Sequence, residues 1–231
     1  MPVKLKKKQK KLNPSNKIRI VDPVSPDPAI LLEAAEIIRK GGIVVFPTRC
    51  LYGLAADALN PEAVAGIFSI KKRPSAKPIL VLIKSQDALL PIVQEVPLKA
   101  RQLMKLFWPG KLTIIFSARQ TLPKVLTGNT AKIGVRLPGH PVAQALTRLL
   151  DNPITGTSAN LSGHPGVADV RHLEPPLLQK VDLVLDAGPL LGGAGSTVVE
   201  ITQNNCTVIR EGVISKEQIF AAFQKNELNS D

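Results

Sequence analysis

At 231 residues, with 44% hydrophobic and 3% aromatic side chains, the chain can bury a sizeable aliphatic core as one large domain or two small ones. Cys50 and Cys206 are too few for a disulfide framework, so a reducing cytosol is the expected compartment; no apolar run approaches the roughly 20 residues of a membrane span, and the Lys-rich start lacks a secretory signal's apolar stretch. The net charge of +12 invites a nucleic-acid reading, but Lys4, Lys6, Lys7, Lys8, Lys10, Lys11, Lys17 and Arg19 supply eight of those charges within an acid-free start, leaving four on the body.

Residues 1–21 therefore read as a disordered basic arm, poor in apolar surface and repelling itself. The arm either solubilises the chain or binds RNA phosphates nonspecifically, since it holds no sequence-reading motif. Asp27 and Pro28 then predict an N-cap and first turn for a helix with Ile30, Ala34, Ile37 and Ile38 on one face, closed by Gly41 and Gly42. Residues 43–46 read as a buried strand that Pro47 ends. A polar loop is expected over residues 48–57, holding a hydroxyl, a guanidinium, a thiol and a phenol. Asn60 and Pro61 start a second helix through Ala63, Val64, Ile67 and Phe68, whose last turn delivers Lys71, Lys72 and Arg73 before Pro74 stops it.

The alternation of helices and strands continues. Residues 79–83 form an apolar run without alternation, so both faces of that strand should be covered. Pro97 opens a helix carrying Ala100, Leu103 and Phe107, followed by a strand at 112–116. Residues 133–137 read as a strand with an unexpected Arg136, and a helix follows with Val142, Ala145, Leu146 and Leu149. Residues 154–160 form a short strand ending in hydroxyls and the Asn160 amide. Three more strands are expected at 183–185, 197–201 and 207–209. The last helix opens on a capping box, Ser215 with Gln218, and carries Ile219, Phe220 and Phe223. The pattern predicts an α/β fold in one domain over residues 22–225, with a short C-terminal tail at 226–231.

Several chemistries are excluded by motif. No Walker A loop surrounds Gly110 and Lys111, and no G-x-S-x-G elbow occurs. His140, His164 and His172 are scattered, without zinc spacing. What remains is a set of polar clusters at element ends: Thr48 to Tyr52, Lys71 to Arg73 with Lys77, Arg136, Ser158 with Asn160, Ser196 with Thr197, and Arg210. Ligands in α/β sheets gather where strands end, so these clusters can converge on one pocket suited to a polyphosphate and a carboxylate. Singly, each has a plainer account. Lys71 to Arg73 suit a helix C-terminus, Ser158 and Asn160 suit a turn, Arg136 could pair with a core carboxylate, and Tyr52 could be packing.

The combination resembles a known family. Pro47-Thr48 with Tyr52-Gly53-Leu54, Lys71-x-Arg73-Pro74 with Lys77-Pro78, Trp108-Pro109-Gly110, Val135-Arg136-x-Pro138, Thr157-Ser158-Ala159-Asn160, Ser196-Thr197-Val198 and Arg210-Glu211-Gly212 occur in the order found in YrdC-like threonylcarbamoyl-AMP synthases. The resemblance covers approximately residues 22 to 221. It implies a twisted open α/β sheet with helices packed around a concave basic cavity. It also implies synthesis of threonylcarbamoyl-AMP and pyrophosphate from L-threonine, bicarbonate and ATP, the first step of threonylcarbamoyl-adenosine formation in tRNA, with transfer machinery as a downstream partner. On the family pattern Lys71, Arg73, Ser158 and Asn160 are the catalytic and phosphate signature. Arg136, Ser196 and Arg210 join them at ATP, while Thr48, Tyr52 and Lys77 line the threonine end. Mg²⁺ is expected with ATP, held by phosphate oxygens and water rather than by a protein ligand. Longer members carry an additional C-terminal domain, for which this chain is too short.

One motif departs from the family. Where its members usually read Pro-Thr-Glu-Thr or Pro-Thr-Asp-Thr, this chain has Pro47-Thr48-Arg49-Cys50, a cation for an acid and a thiol for a hydroxyl. An Arg49 that enters the cavity would alter the amino-acid end; one that faces solvent would not. The rival reading is therefore an RNA-binding or paralogous member that keeps the cavity and has lost threonine specificity.

Overall fold

The computed structural model describes residues 17–202 and 205–224; the basic arm up to residue 16 and the tail at 226–231 lie outside them. In chain order the described elements are β1 (Ile18–Ile20), α1 (Pro28–Arg39), β2 (Val44–Pro47), β3 (Tyr52–Ala55), α2 (Pro61–Lys71), β4 (Val81–Leu82), α3 (Leu98–Phe107), β5 (Leu112–Ser117) and α4 (Lys124–Thr127). They continue with β6 (Lys132–Arg136), α5 (Pro141–Arg148), β7 (Ile154–Thr155), β8 (Thr157–Ser158), α6 (Pro175–Leu178), β9 (Leu183–Asp186), β10 (Thr197–Ile201), β11 (Cys206–Arg210) and α7 (Lys216–Gln224). Among the described residues no helix is long and apolar enough to cross a membrane.

The caps read from sequence set the helix starts. Asp27 accepts from the Ala29 N–H at 2.8 Å, and Asn60 accepts from Glu62 and Ala63 at 3.0 and 3.2 Å. Ser215 and Gln218 bond reciprocally, at 3.0 and 3.2 Å. Each satisfies donors that the first turn leaves open. Helix α2 ends in a Schellman arrangement: Arg73 N–H reaches the Phe68 carbonyl and Lys72 N–H the Ser69 carbonyl, with Lys72 left-handed at φ 49°. That reversal throws Arg73 off the helix axis.

The strands form two mixed sheets where a single one was expected, ordered β1-β9-β2-β3-β8 and β11-β10-β5-β6-β4-β7. Helices α1 and α5 cover one face of the first sheet through Leu31, Ala35, Ile38, Val142 and Leu146, packed on Val44, Phe46 and Leu185. The other face, with Val45, Leu54 and Val184, joins the main core with α2, α3 and the apolar face of the second sheet.

Two local expectations need correction. The stretch over residues 48–57 is not all loop: Tyr52–Ala55 is strand β3, antiparallel to β2 in a tight hairpin. Its run Tyr-Gly-Leu-Ala is too short to show alternation, and the partner strand supplies the missing information. The arm assigned to residues 1–21 also ends sooner. Ile18–Ile20 pairs in parallel with β9, Lys17 donates to the Val181 carbonyl at 2.7 Å, and Arg19 grips Glu33 of α1 at 2.8 and 2.9 Å. Two of the cations counted with the arm thus anchor an edge strand.

The sheets are joined where β7 hands over to β8. Thr155 Oγ donates to the Leu54 carbonyl at 2.8 Å and accepts from Ala56 N–H at 3.0 Å, tying the second sheet to the first. Gly156 makes the switch, and a Cβ there would lie 2.5 Å from Leu80 Cδ1 and 3.0 Å from Leu82 Cγ. Gly156→Ala is expected to cost about 1–3 kcal/mol through overpacking, read as a lower urea midpoint at unchanged m-value.

Candidate active site

The two sheets enclose a cavity of about 500 Å³. Its first wall follows from period-2 alternation in the second sheet. In β5, Leu112, Ile114 and Phe116 enter the core while Thr113 and Ile115 line the cavity. In β6, Ile133 and Val135 are core while Gly134 and Arg136 face the cavity. Around β10, Ser196 and Val198 line it and Thr197 and Val199 do not. Arg136, odd in an apolar strand, is thus explained by facing the cavity, and among the described residues it forms no salt bridge with a core carboxylate. Thr113 was missed by sequence reasoning; its signal was a lone hydroxyl in an apolar strand, and it bonds Ser196 Oγ at 2.8 Å.

Arg210 and Ser196 meet because β10 and β11 form a hairpin. Arg210 donates to the Ser196 carbonyl at 2.8 Å. Buried Thr197 receives Gly212 and Ile214 N–H, both at 3.0 Å, which folds the Arg210-Glu211-Gly212 turn onto the cavity rim.

The opposite wall is the β2–β3 hairpin. Thr48 closes its turn, with both its N–H and its hydroxyl donating to the Leu51 carbonyl, at 3.1 and 2.6 Å. Gly192 N–H donates to the Cys50 carbonyl at 2.9 Å, so the Gly192-Gly193-Ala194-Gly195 segment braces the turn. Arg49 and Cys50 both line the cavity; Arg49 does not lie on an outer surface. Tyr52 lines it too, but its hydroxyl is engaged elsewhere, donating to Gly188 O at 2.7 Å and accepting from Ala187 N–H at 3.0 Å. Burial pushes that phenol's pKa upward. Tyr52 therefore anchors the segment after β9 rather than offering its hydroxyl to a substrate.

Lys71 and Asn160 stand behind this wall, not in it. Lys71, 2% exposed, donates to the Ser158 carbonyl at 2.5 Å, the Asn160 carbonyl at 2.7 Å and Asn160 Oδ1 at 3.1 Å. Ser158 Oγ donates to the same Oδ1 at 2.5 Å, and Asn160 Nδ2 holds the Leu161 and His164 carbonyls. The result is a bracket that fixes Ser158, which does line the cavity. Burial, and secondarily Arg73, lower the Lys71 pKa to about 8, with Glu174 acting the other way.

Arg73 and Lys77 complete the rim. Arg73 clasps its own turn, donating to Lys77 O at 3.1 Å and Pro78 O at 2.9 Å, and burial depresses its pKa. Among the described residues the lining holds five cations (Arg49, Arg73, Lys77, Arg136 and Arg210) and no carboxylate. Burial, then the charge of Arg210, brings the Arg136 pKa down to about 10, against an opposing effect of Cys50. The Arg136 guanidinium stays charged at neutral pH, so the shift reports a charge held without sufficient compensation. Arg136 Nε and Arg49 Nη1 are buried without a hydrogen-bond partner among the described residues. Such a lining suits phosphates and carboxylates.

The same lining does not build a protein-ligated cation site. Thr48, Thr113, Ser158 and Ser196 offer hydroxyls, but no carboxylate lines the cavity, and no metal-holding group of His, Cys, Asp or Glu occurs among the described residues. Among the described residues Mg²⁺ has no side-chain set here to hold it.

The family model for Sua5, YciO and YrdC proteins, described as telomere recombination, matches residues 36–212. The chain belongs to the Sua5/YciO/YrdC family. It is 37% identical over 186 residues to the threonylcarbamoyl-AMP synthase of Pyrococcus abyssi, covering 80% of this chain and 55% of that protein. It is similar in structure to P. abyssi Sua5 complexed with L-threonine, with a TM-score of 0.84 and 35% identity over 89% of this chain and 60% of that one. E. coli YciO gives a TM-score of 0.77 at 31% identity, covering 85% of this chain and 96% of YciO. The chain thus spans little more than half the length of the archaeal relative. Like YciO, it has the α/β architecture of the Sua5/YciO/YrdC fold.

Proposed function

We propose that the protein condenses L-threonine, bicarbonate and ATP into threonylcarbamoyl-AMP, pyrophosphate and water. The observation that carries this reading is the five-cation, carboxylate-free cavity; the name of the P. abyssi relative and the threonine-bound P. abyssi Sua5 support the choice of substrates. The threonine amine adds to the bicarbonate-derived carbon, water leaves, and a carbamate forms. One carbamate oxygen then attacks the α-phosphorus, and the bond from that phosphorus to the oxygen bridging to the β-phosphate breaks, its electron pair leaving with pyrophosphate. Both reactants are anions, so the protein's task is to place them together and offset their repulsion.

In this reading Arg73, Arg136 and Arg210 take the phosphates and the adenylate, with the Ser158 and Ser196 hydroxyls orienting oxygens. Lys71 and Asn160 act from behind, by holding Ser158. Thr48 shapes the amino-acid end through the hairpin turn, Tyr52 by anchoring its far side, and Lys77 contributes charge at the rim. The product would pass to machinery that modifies tRNA.

Purified protein with L-threonine, bicarbonate, ATP and Mg²⁺ is expected to release pyrophosphate in proportion to the adenylate detected by mass spectrometry. No amino-acid-dependent pyrophosphate release across the twenty amino acids would overturn the reading. A pH signature should accompany binding. A polyanion against Ser158 raises the Lys71 pKa, so at pH 8.5 ATP binding takes up roughly half a proton, and at pH 6.5, where Lys71 is already charged, it takes up none at this site. Calorimetry in buffers of differing ionisation enthalpy reads the difference, which Lys71→Met abolishes.

A further inference from the structure

We propose that Glu174 is a positioning residue for the proposed adenylation: by gripping the Leu161–His164 turn it holds the Asn160 carboxamide in the one orientation that serves both Lys71 and Ser158. The kinetic arm of its test rests on that reading of the cavity; the spectroscopic arm does not.

An asparagine amide is two-faced, an acceptor on one side and a pair of donors on the other. Asn160 Oδ1 receives Lys71 Nζ at 3.1 Å and Ser158 Oγ at 2.5 Å, while Nδ2 donates to the Leu161 carbonyl at 2.9 Å and the His164 carbonyl at 2.6 Å. Turned by half a rotation, the same amide would set its N–H groups against the buried ammonium and its oxygen against two carbonyls. Burial makes such mismatches costly. The orientation therefore depends on where those two carbonyls stand.

Both carbonyls belong to one turn. His164 N–H donates to the Leu161 carbonyl at 3.1 Å, and Gly163 between them takes φ +91° with open space around it, a conformation that glycine adopts freely but does not stiffen. Glu174 holds this turn at both ends. Its Oε1 accepts from Leu161 N–H at 3.1 Å, and its Oε2 lies 3.2 Å from His164 Nδ1. The glutamate is itself fixed, because its carbonyl receives the Leu177 and Leu178 N–H groups at the start of α6, at 2.9 and 3.0 Å. Its charge also favours the ammonium form of Lys71 against the effect of burial. Glu174 does not line the cavity, so its influence passes through Asn160 to Ser158.

The test follows the Asn160 side-chain amide by heteronuclear NMR in the full chain without ligand, its signal assigned by its loss in Asn160→Asp. Glu174→Ala is expected to speed hydrogen exchange of that amide by about tenfold or more. It should also lower kcat for threonine-dependent pyrophosphate release at pH 6.5 by about 10- to 100-fold, with KM for ATP moving less than about threefold. Glu174→Gln, whose amide oxygen still accepts from Leu161, should restore both readouts to within about threefold of wild type. Glu174→Asp keeps the charge but loses a methylene of reach, so it should resemble Glu174→Ala, and it carries the test if the alanine variant does not fold. A lower melting temperature with amide exchange unchanged would make Glu174 a structural residue only, and an unchanged kcat with a freed amide would sink the proposal equally. So would a glutamine variant as impaired as the alanine one, since charge rather than grip would then be at work. If wild type releases no amino-acid-dependent pyrophosphate while the exchange rates still separate the variants, the grip on Asn160 stands and the adenylation reading falls.

Discussion

Lys71→Ala is expected to lower stability by about 2–4 kcal/mol, a drop in melting temperature of roughly 5–15 °C, and to reduce threonine-dependent pyrophosphate release by about 100-fold or more. The physical reason lies in what the ammonium leaves behind. Its three acceptors, the Ser158 carbonyl, the Asn160 carbonyl and Asn160 Oδ1, are drawn to one buried point, and without the cation their mutual repulsion is uncompensated, although Asn160 N–H still reaches the Ser158 carbonyl and Ser158 Oγ still reaches Asn160 Oδ1. Ser158 Oγ shares Asn160 Oδ1, so the same loss lets that amide shift and carry with it the hydroxyl that lines the cavity. Activity should therefore fall through positioning, with kcat suffering more than KM for ATP. Calorimetry and a pyrophosphate assay on the same preparation decide it. An unchanged melting temperature would mean that the bracket does not hold Ser158 in place.

Arg136→Met is expected to behave in the opposite way. ATP affinity should fall about 10- to 100-fold, the worth of a charge-assisted hydrogen bond of about 1.5–3 kcal/mol, while the melting temperature holds or rises. The substitution removes a guanidinium whose Nε has no partner among the described residues and whose charge opposes that of Arg210. Among the described residues it leaves no buried acceptor stranded, and a methionine of similar reach can fill the space. Binding calorimetry with a thermal scan separates the two effects. A melting temperature lowered by more than about 5 °C with an unchanged ATP Kd would make Arg136 a structural residue.

The contrast between these cations was not visible in the motif Lys71-x-Arg73, where both residues read as phosphate ligands at a helix end. The structure separates them by one peptide reversal. Lys71 is the last residue of α2 and points inward, whereas Arg73 follows the left-handed Lys72 and emerges on the cavity. Tyr52 changed meaning in a similar way, from a substrate-facing phenol to an anchor for residues 187 and 188. Arg49 went the other way. Sequence comparison within the family marked it as a departure, and its position in the cavity makes the departure chemical.

The helix starts, the apolar strands and the order of the polar clusters were determined by the sequence itself, because N-caps, proline positions and side-chain period are short-range properties carried by neighbouring residues. Strand β3, edge strand β1 and the division into two sheets were decided only by the tertiary structure. Tyr52–Ala55 and Ile18–Ile20 are too short to declare a strand, and they become strands because β2 and β9 offer them hydrogen-bond partners distant in the chain. The cavity follows the same logic. Alternation along β5 and β6 assigns Thr113 and Arg136 to one face, but whether that face meets core or an opposing hairpin depends on the switch of sheets at Gly156, which no local pattern encodes.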